Sequence, residues 1–250
     1  MVDQFCSLSL LQQKAEHRVV VVLPAYNCAR TLKQTVMDIP QKYVDEIVLV
    51  DDASTDETID VAKTLSIKHI KKHIKNLGYG ANQKSCYDIA LSIGADIVIM
   101  VHPDYQYDPK LIGDILGGIL KGADVVLASR MMRGYAAVKL GMPIYKFYAN
   151  KTLTWFQNLM LNKRLSEYHT GYRAYTANIL RQINYHQLSD DFIFDNEMLL
   201  EAIGRGACIH EIYCPARYMS EASSIGFMRA VRYGLGVVIQ TLRWKLCAIT

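Results

Sequence analysis

The residues with the clearest capacity for chemistry follow an apolar run at positions 98–101. His102, Asp104, Gln106 and Asp108 come after this run at every second position. In an open α/β sheet, ligands bind beyond the carboxyl ends of the strands, and carboxylate and amide oxygens hold divalent cations against phosphates. By itself the pattern also fits a polar turn between a strand and a helix, but together with the polar segments upstream it predicts a metal site at Asp104 and Gln106. Asp108 precedes a proline, and we interpret it as the cap of the helix that follows.

The elements that must position these residues alternate between strand and helix through the first half of the chain. Continuous β-branched runs are typical of strands that are buried on both faces of a sheet. They predict strands over 19–23, 47–50, 96–101 and 124–128, with a weaker one over 67–74. The intervening segments have helical patterns, and a capping box at Ser54 and Glu57 opens one of them. This alternation predicts an α/β fold with a mostly parallel sheet flanked by helices.

The second half of the chain is less regular. Glycine and proline over 134–143 indicate a loop. Helices are predicted over 144–161 and 192–203, and a short strand over 209–213. We expect these segments to extend the same domain over the carboxyl edge of the sheet.

Three polar clusters follow predicted strands, at positions 24–27, 51–56 and 102–108. Each alone is also explained as a strand end or a turn. The topology, however, would bring all three to one edge of the sheet, where a nucleotide could lie across them. Between them, a turn at Gly78 would expose backbone N–H groups to a phosphate at a helix start, although its spacing is not that of a dinucleotide fingerprint.

Composition narrows the class of protein. Of the 250 residues, 51% are hydrophobic and 21% are charged, which is ordinary for a globular protein with a core. A net charge of +4 suits phosphates or an anionic membrane surface but not a nucleic-acid binder. Six cysteines without a C-x-x-C pair favour reduced thiols in the cytoplasm. No apolar run approaches the roughly 20 residues of a membrane span.

Taken in order, the motifs resemble those of the family 2 inverting glycosyltransferases, which have the GT-A fold. The resemblance is strongest to the dolichol-phosphate-mannose-synthase-like branch. It rests on Leu-Pro-Ala-Tyr-Asn at 23–27, Val-Asp-Asp-Ala-Ser-Thr-Asp-Glu-Thr at 50–58, Asn-Leu-Gly-Tyr-Gly-Ala at 76–81, Asp-Tyr-Gln at 104–106, Ala-Ser-Arg at 128–130, Thr-Gly-Tyr-Arg-Ala-Tyr at 170–175 and Pro-Ala-Arg-Tyr at 215–218. We accordingly divide the chain into an extension (1–17), a nucleotide-sugar-binding half (18–130), an acceptor half (131–223) and an amphipathic helix (224–250).

The resemblance implies which residues bind the donor, a UDP- or GDP-linked sugar. Pro24, Tyr26 and Asp52 would contact the base and the ribose, with Asp51 nearby as a lesser candidate. The phosphates would be bound by three arginines, for which surface ion pairing is the alternative explanation. These are Arg130, Arg173 and Arg217.

The resemblance also implies that Asp104 binds Mg²⁺ or Mn²⁺ at the donor diphosphate, with Gln106 beside it. The family usually has Asp-x-Asp at this point, but His102 replaces the first Asp here. Imidazole suits Mn²⁺ better than Mg²⁺. Either His102 ligates the ion, or it only packs and fewer carboxylates hold the metal.

The need for a general base depends on the acceptor. A hydroxyl acceptor requires one, whereas a lipid phosphate is already an anion. The family commonly has its acidic base where this chain has Asp195 and Glu197. Residues two apart on a helix do not share a face, so at most one of them is the base, and we favour Asp195. Glu197 could instead order a neighbouring arginine.

The C-terminal segment bears on the acceptor. Apolar side chains recur every three or four residues over 228–246, and arginines border this stripe at 229, 232 and 243. Such a helix suits an anionic membrane surface, although docking on its own domain or on a second subunit explains the pattern equally well.

These inferences leave two functions open. The first is an enzyme of cell-envelope biogenesis that transfers a sugar from a nucleotide donor to a polyprenyl phosphate or a glycan. It would be cytoplasmic or peripheral at the inner face of the membrane, and a homo-oligomer is open. The second is a nucleotide-sugar-binding protein without turnover, because the metal motif is altered.

Overall fold

Seven strands form one sheet in the computed structural model, which describes residues 10–215 and 227–247. Their order across the sheet is β3-β2-β1-β4-β6-β5-β7, and only β6 runs antiparallel to its neighbours. The predicted α/β class with a mostly parallel sheet is therefore confirmed. The strands are β1 (Val19–Ala25), β2 (Glu46–Asp51), β3 (His69–Lys72), β4 (Ile97–Met100), β5 (Val125–Ser129), β6 (Arg173–Thr176) and β7 (Ile209–Tyr213).

Helices connect these strands and cover the sheet. The α-helices are α1 (Ala29–Asp38), α2 (Thr58–Thr64), α3 (Tyr79–Ser92), α4 (Ile112–Leu120), α5 (Ala136–Lys139), α6 (Ile144–Leu161), α7 (Ala177–Gln182), α8 (Phe194–Gly204) and α9 (Phe227–Cys247). Single turns of 3₁₀-helix occur at Gln41–Tyr43, Pro109–Leu111 and Tyr185–Gln187.

The side chains of β1 show why its sequence is continuously apolar. Val19 and Val21 pack into a core layer with α1, α2 and α4, whereas Val20 and Val22 pack into a second layer with α3, α7 and α8. Every residue of the strand is buried. A strand covered on both faces needs apolar residues at every position, not at alternate ones.

Two elements of the second half differ from the sequence prediction. β6 lies where no strand was predicted, because Arg173 breaks the apolar pattern of this short segment. It pairs antiparallel with both β4 and β5, and so separates two strands that the alternating pattern would place side by side. The predicted loop over 134–143 contains the short helix α5.

The two predicted helix caps have different outcomes. Asp108 caps the turn that leads into α4, since its carboxylate accepts a hydrogen bond from the Lys110 N–H at 3.1 Å. The capping box at Ser54 is wrong, because α2 begins only at Thr58. The Ser54 hydroxyl instead donates to Asp51 and accepts from the Asn27 N–H, which ties the β2–α2 loop to the end of β1.

The C-terminal helix α9 docks on its own domain, against α6 and α8. Val237 and Thr241 are fully buried there, and the Thr241 hydroxyl lies 3.1 Å from the Gln157 amide nitrogen. Two other leucines of this helix, Leu235 and Leu246, are 60% and 68% exposed. Within the described ranges, no helix combines the length and apolar character that crossing a membrane requires.

Candidate functional site

A cleft of about 840 Å³ lies at the carboxyl ends of β1, β2 and β4. The structure thus brings together the three polar clusters and the glycine turn, as the topology predicts. The predicted site residues that line the cleft are Pro24, Tyr26, Asp52, Gly78, His102 and Asp104. The residues that line its other side include Asp191, Phe192, Arg232, Tyr233, Leu235 and Gln240, which precede α8 or belong to α9.

Asp52 lines this cleft although it is only 2% exposed. Its carboxylate accepts hydrogen bonds from the N–H groups of Leu77 and Gly78, at 2.8 and 2.9 Å, and lies 2.7 Å from Nδ1 of His73. An ionised carboxylate has about four acceptor positions. Three are therefore used to fix the turn after β3, and one remains for a ligand.

The glycine turn has a different role from the predicted one. Gly78 adopts a φ of +105°, and a Cβ there would lie 2.5 Å from the backbone oxygen of Asp190, so only glycine fits. Its N–H is bonded to Asp52 and is not free for a phosphate. The turn therefore brings the start of α3 close to the cleft, but the N–H groups of Leu77, Gly78 and Gly80 are already bonded to protein acceptors.

Asp51 and Tyr26 differ in their access to a ligand. Asp51 is fully buried, and its carboxylate accepts from the N–H and the hydroxyl of Ser54, so it holds the loop after β2. Tyr26 is 51% exposed and lines the cleft beside Pro24. Its ring presents a face on which a nucleotide base could stack.

Asp104 is the carboxylate best placed for a metal. It is half-buried in the cleft and accepts hydrogen bonds from the backbone N–H and the side-chain amide of Gln106, at 3.1 and 2.8 Å. Among the described residues, no three His, Cys, Asp or Glu side chains are grouped to hold a metal. The donor set still fits Mg²⁺ or Mn²⁺, because such ions are often bound through one or two carboxylates plus substrate phosphates.

Two of the three predicted phosphate-binding arginines, Arg173 and Arg130, are engaged with other protein groups. Arg173 is fully buried, and its guanidinium donates to the carbonyl oxygens of Thr170, Tyr168 and Asp195. A phosphate contact would require these bonds to break, so we correct Arg173 to a residue that supports the backbone around Asp195. Arg217 lies outside the described residues.

Arg130 forms an ion pair with Glu167, which is completely buried. Ion pairing, the alternative considered from sequence, thus describes this arginine, although the pair is internal. Burial alone would raise the pKa of Glu167. The charge of the Arg130 guanidinium and the hydrogen bonds to the carboxylate outweigh this effect, so the pKa lies below its ordinary value. The Asn150 amide also donates to Glu167, at 2.8 Å.

The neighbouring His169 leads us to predict that the free energy of unfolding decreases in acid. Burial lowers the pKa of its imidazole from 6.5 to about 4, and its Nδ1 lies 2.9 Å from the Tyr233 hydroxyl of α9. Between about pH 6.5 and pH 4 the unfolded chain binds this proton and the folded protein does not. The free energy of unfolding should therefore be fully retained above pH 6.5 and fall by up to about 3 kcal/mol as the pH drops through this window.

Urea unfolding of the wild type and of His169→Gln at several pH values checks this, since glutamine cannot be protonated. The carboxylates contribute equally in both proteins. The difference between the two slopes of the free energy of unfolding against pH therefore gives the contribution of His169. Equal slopes for the two proteins would contradict the assignment.

Neither predicted general base lines the cleft that the described residues form. Glu197 accepts from the Ser189 N–H and from the Gln240 amide, each at 2.7 Å, so it ties α8 to α9. Asp195 is 7% exposed and accepts from the Tyr79 hydroxyl at 2.6 Å. The prediction of a base at either residue thus gains no support from this geometry.

Two cleft residues were missed as site residues from sequence. Tyr79 begins α3 and bridges Asp195 and His102. Burial and the Asp195 carboxylate raise its pKa well above 10, so its hydroxyl stays protonated. Arg232 is an exposed residue of α9, and no described side chain pairs with it. Tyr79 lies within a quoted motif and Arg232 on the amphipathic stripe, but only the fold shows that they meet at one cleft.

Comparison with known proteins now decides the family. The model of Glycosyl transferase family 2 matches residues 20–183, which include all the strands around the cleft from β1 to β6. The chain belongs to glycosyl transferase family 2. The resemblance inferred from the motifs is thereby confirmed.

Two relatives and one solved structure are similar to this family 2 glycosyltransferase over most of its length. It is 26% identical over 241 residues to the undecaprenyl-phosphate mannosyltransferase of Micrococcus luteus, covering 92% of this chain and 95% of that one. It is 25% identical over 205 residues to the polyprenol monophosphomannose synthase of Mycolicibacterium smegmatis, covering 78% and 76%. A structure of glucosyl-3-phosphoglycerate synthase from Mycobacterium tuberculosis with Mn²⁺, uridine-diphosphate and phosphoglyceric acid matches with a TM-score of 0.70 at 16% identity, covering 94% and 81%. The fold is accordingly GT-A.

Proposed function

We propose that this protein transfers a hexose, with inversion, from a UDP- or GDP-linked donor to a polyprenyl phosphate at the cytoplasmic face of a membrane. One observation carries this proposal. A single cleft has the carboxylates Asp52 and Asp104 on one side and, on the other, the cation Arg232 beside the exposed apolar residues Leu235 and Ile239. The first side suits a nucleotide with a metal, and the second suits a lipid that carries a phosphate.

The donor would lie across the ends of β1, β2 and β4. Tyr26 and Pro24 would contact the base, and the remaining acceptor position of Asp52 would receive a hydrogen bond from the base or the ribose. Asp104, with Gln106 beside it, would hold the divalent ion. When bound, this ion neutralises the charge that develops on the leaving diphosphate.

A phosphate acceptor is compatible with the position of Asp195 and Glu197 outside the lining of the cleft that the described residues form. A phosphate oxygen of the acceptor is already an anion and needs no proton removed before it attacks the anomeric carbon. The bond from that carbon to the diphosphate breaks on the opposite face, which inverts the configuration. Arg232 would pair with the acceptor phosphate, while Leu235 and Ile239 would contact the start of its polyprenyl chain.

The relatives support this choice of acceptor. Two of them carry polyprenol or undecaprenyl phosphate in their names, and both are covered over three quarters or more of their length. The structural neighbour with bound Mn²⁺ and uridine-diphosphate supports a divalent ion and a nucleotide at a cleft of this fold.

The direct test combines a panel of UDP- and GDP-linked hexoses with undecaprenyl phosphate in micelles, with Mn²⁺ or Mg²⁺. We expect a lipid-linked sugar, an equal amount of nucleoside diphosphate, and an anomeric configuration opposite to that of the donor by nuclear magnetic resonance. Donor binding with neither transfer nor hydrolysis would instead favour a nucleotide-sugar-binding protein.

A second prediction concerns Asp52. Asp52→Asn replaces an acceptor with an amide that also donates, and removes the charge that three neighbouring donors require. We expect the dissociation constant of the nucleoside diphosphate to rise at least tenfold, because a charge-assisted hydrogen bond contributes about 1.5–3 kcal/mol. Calorimetry measures this directly.

Asp60→Asn is the matched control, since Asp60 lies on α2, outside the lining of the cleft that the described residues form, and pairs with Lys63 at the surface. It should bind the nucleotide like the wild type. An unchanged dissociation constant in Asp52→Asn would remove Asp52 from the donor site.

A further inference from the structure

Three side chains joined by hydrogen bonds, Asp195, Tyr79 and His102, lie beside the cleft and link segments that are far apart in sequence. The Tyr79 hydroxyl lies 2.6 Å from Oδ2 of Asp195 and 3.1 Å from Nε2 of His102. The Tyr79 ring also stacks with two other rings, at 5.6 Å from that of His102 and 4.8 Å from that of Phe192. The start of α3, the loop after β4 and the first turn of α8 therefore meet at one hydroxyl group.

The hydrogen-bond donor in each of these two contacts follows from the number of protons that each group carries. A tyrosine hydroxyl has one proton, and an ionised carboxylate can only accept. The Tyr79 proton therefore goes to Asp195, and the hydrogen bond between Tyr79 and His102 must use a proton on Nε2 of the imidazole. In the neutral imidazole this leaves the lone pair on Nδ1.

The position of the His102 ring is constrained from a second side. A Cβ atom on Gly171 would lie 2.4 Å from Nε2 of His102 and 3.4 Å from the Tyr79 hydroxyl oxygen. Glycine is thus the only residue that leaves room for this imidazole against the backbone before β6. The Asp195 end is fixed as well, because the buried Arg173 guanidinium donates to the Asp195 carbonyl oxygen.

We propose that Asp195 and Tyr79 are positioning residues that hold His102 so that its Nδ1 ligates the divalent ion beside Asp104. A histidine that binds a metal through one ring nitrogen usually donates the other N–H to a carboxylate or a similar acceptor, which fixes the tautomer and the ring orientation. Here the Tyr79 hydroxyl is that acceptor and Asp195 is the carboxylate behind it. His102 replaces a carboxylate with a nitrogen ligand, so the site should favour Mn²⁺ over Mg²⁺.

This inference rests on the metal-dependent function proposed above, and it gives Asp195 a role that does not require contact with the acceptor. That is consistent with its burial and with its absence from the lining of the cleft, as far as the described residues form it.

The test uses the full-length protein with Mn²⁺ and uridine diphosphate or guanosine diphosphate, whichever binds. Electron spin-echo spectroscopy should show the coupling of a directly bound imidazole nitrogen to Mn²⁺ in the wild type. This coupling should disappear in His102→Gln. Tyr79→Phe should weaken Mn²⁺ binding by roughly tenfold or more, as expected when such a supporting contact is lost, and should reduce the preference for Mn²⁺ over Mg²⁺.

Tyr87→Phe is the matched control, because it removes a buried hydroxyl from the same helix that bonds Gln83 and not His102. It should leave both the nitrogen coupling and the Mn²⁺ affinity unchanged. If Mn²⁺ binds with the nucleotide and depends on Asp104 but shows no nitrogen coupling, the proposed function stands and the role of His102 is overturned. If neither nucleotide brings Mn²⁺ to the protein, the proposed metal-dependent function itself fails.

Discussion

Asp104→Ala should lower kcat/KM by about two to three orders of magnitude while leaving Tm nearly unchanged. The variant removes the only carboxylate of the loop after β4 that lines the cleft. The loss of charge stabilisation at a leaving group costs about 3–4 kcal/mol in comparable sites, and each 1.36 kcal/mol is a factor of ten in rate. A half-exposed loop acid whose two bonds both go to Gln106 contributes little to folding.

Asp108→Ala in the same loop provides the opposite result. Asp108 caps the turn before α4 through the Lys110 N–H, so its loss should reduce the free energy of unfolding by about 1 kcal/mol. Its turnover should stay close to that of the wild type. Initial rates and thermal melts of both variants give the comparison. Turnover in Asp104→Ala at the level of Asp108→Ala would show that Asp104 does not serve the reaction.

The placement of Asp104 and Asp52 was predictable because it depends only on topology. Strands with continuous β-branched sequences are recognisable without a structure, and parallel strands bring their carboxyl ends to one edge. The cleft does lie across the ends of β1, β2 and β4. The number of acceptor positions that each carboxylate has left for a ligand was not predictable. The three partners of Asp52 come from the separate segment after β3.

Arg173 shows the opposite case. An arginine within a family motif is expected to meet an anion, but this one belongs to β6, between β4 and β5, where its guanidinium is surrounded by carbonyl oxygens. A four-residue strand that begins with a charged residue gives no sequence signal of burial. The contacts of Tyr79 with Asp195 and of Glu197 with Gln240 were likewise out of reach, because they join residues 116 and 43 positions apart that only the folded chain brings near.

The second large effect concerns the outer face of α9 and binding to anionic vesicles. Val231, Leu242 and Leu246 are 44%, 42% and 68% exposed, although the helix is docked by its other side. Neither α9 nor its neighbour α6 contains an acidic residue, and α6 exposes Trp155 and Leu159. An apolar face without carboxylates, edged by arginines, fits the surface of an anionic bilayer better than it fits water.

The variant Val231→Ser/Leu242→Ser/Leu246→Ser should therefore lose most of its affinity for vesicles rich in phosphatidylglycerol. Immersion of three partly exposed aliphatic side chains contributes about 3 kcal/mol, which corresponds to a factor of roughly 100 in the binding constant. None of these side chains lines the cleft that the described residues form, so turnover with a short, water-soluble polyprenyl phosphate should persist. Met37→Ser is the matched control, because Met37 is a 67% exposed side chain on α1.

Salt distinguishes the two parts of this attraction. Sedimentation of the intact protein with the vesicles should weaken as the salt concentration rises, because screening reduces the contribution of about 1 kcal/mol from each basic residue near the surface, such as Arg232 and Arg243. The apolar contribution should remain at high salt and should be missing only in the triple variant. If the intact protein does not sediment with anionic vesicles at low salt, the proposed access to a lipid acceptor at the membrane fails. A hydroxyl acceptor, with Asp195 as the base, would then be the better hypothesis, and Asp195 would have to leave Tyr79 to reach it.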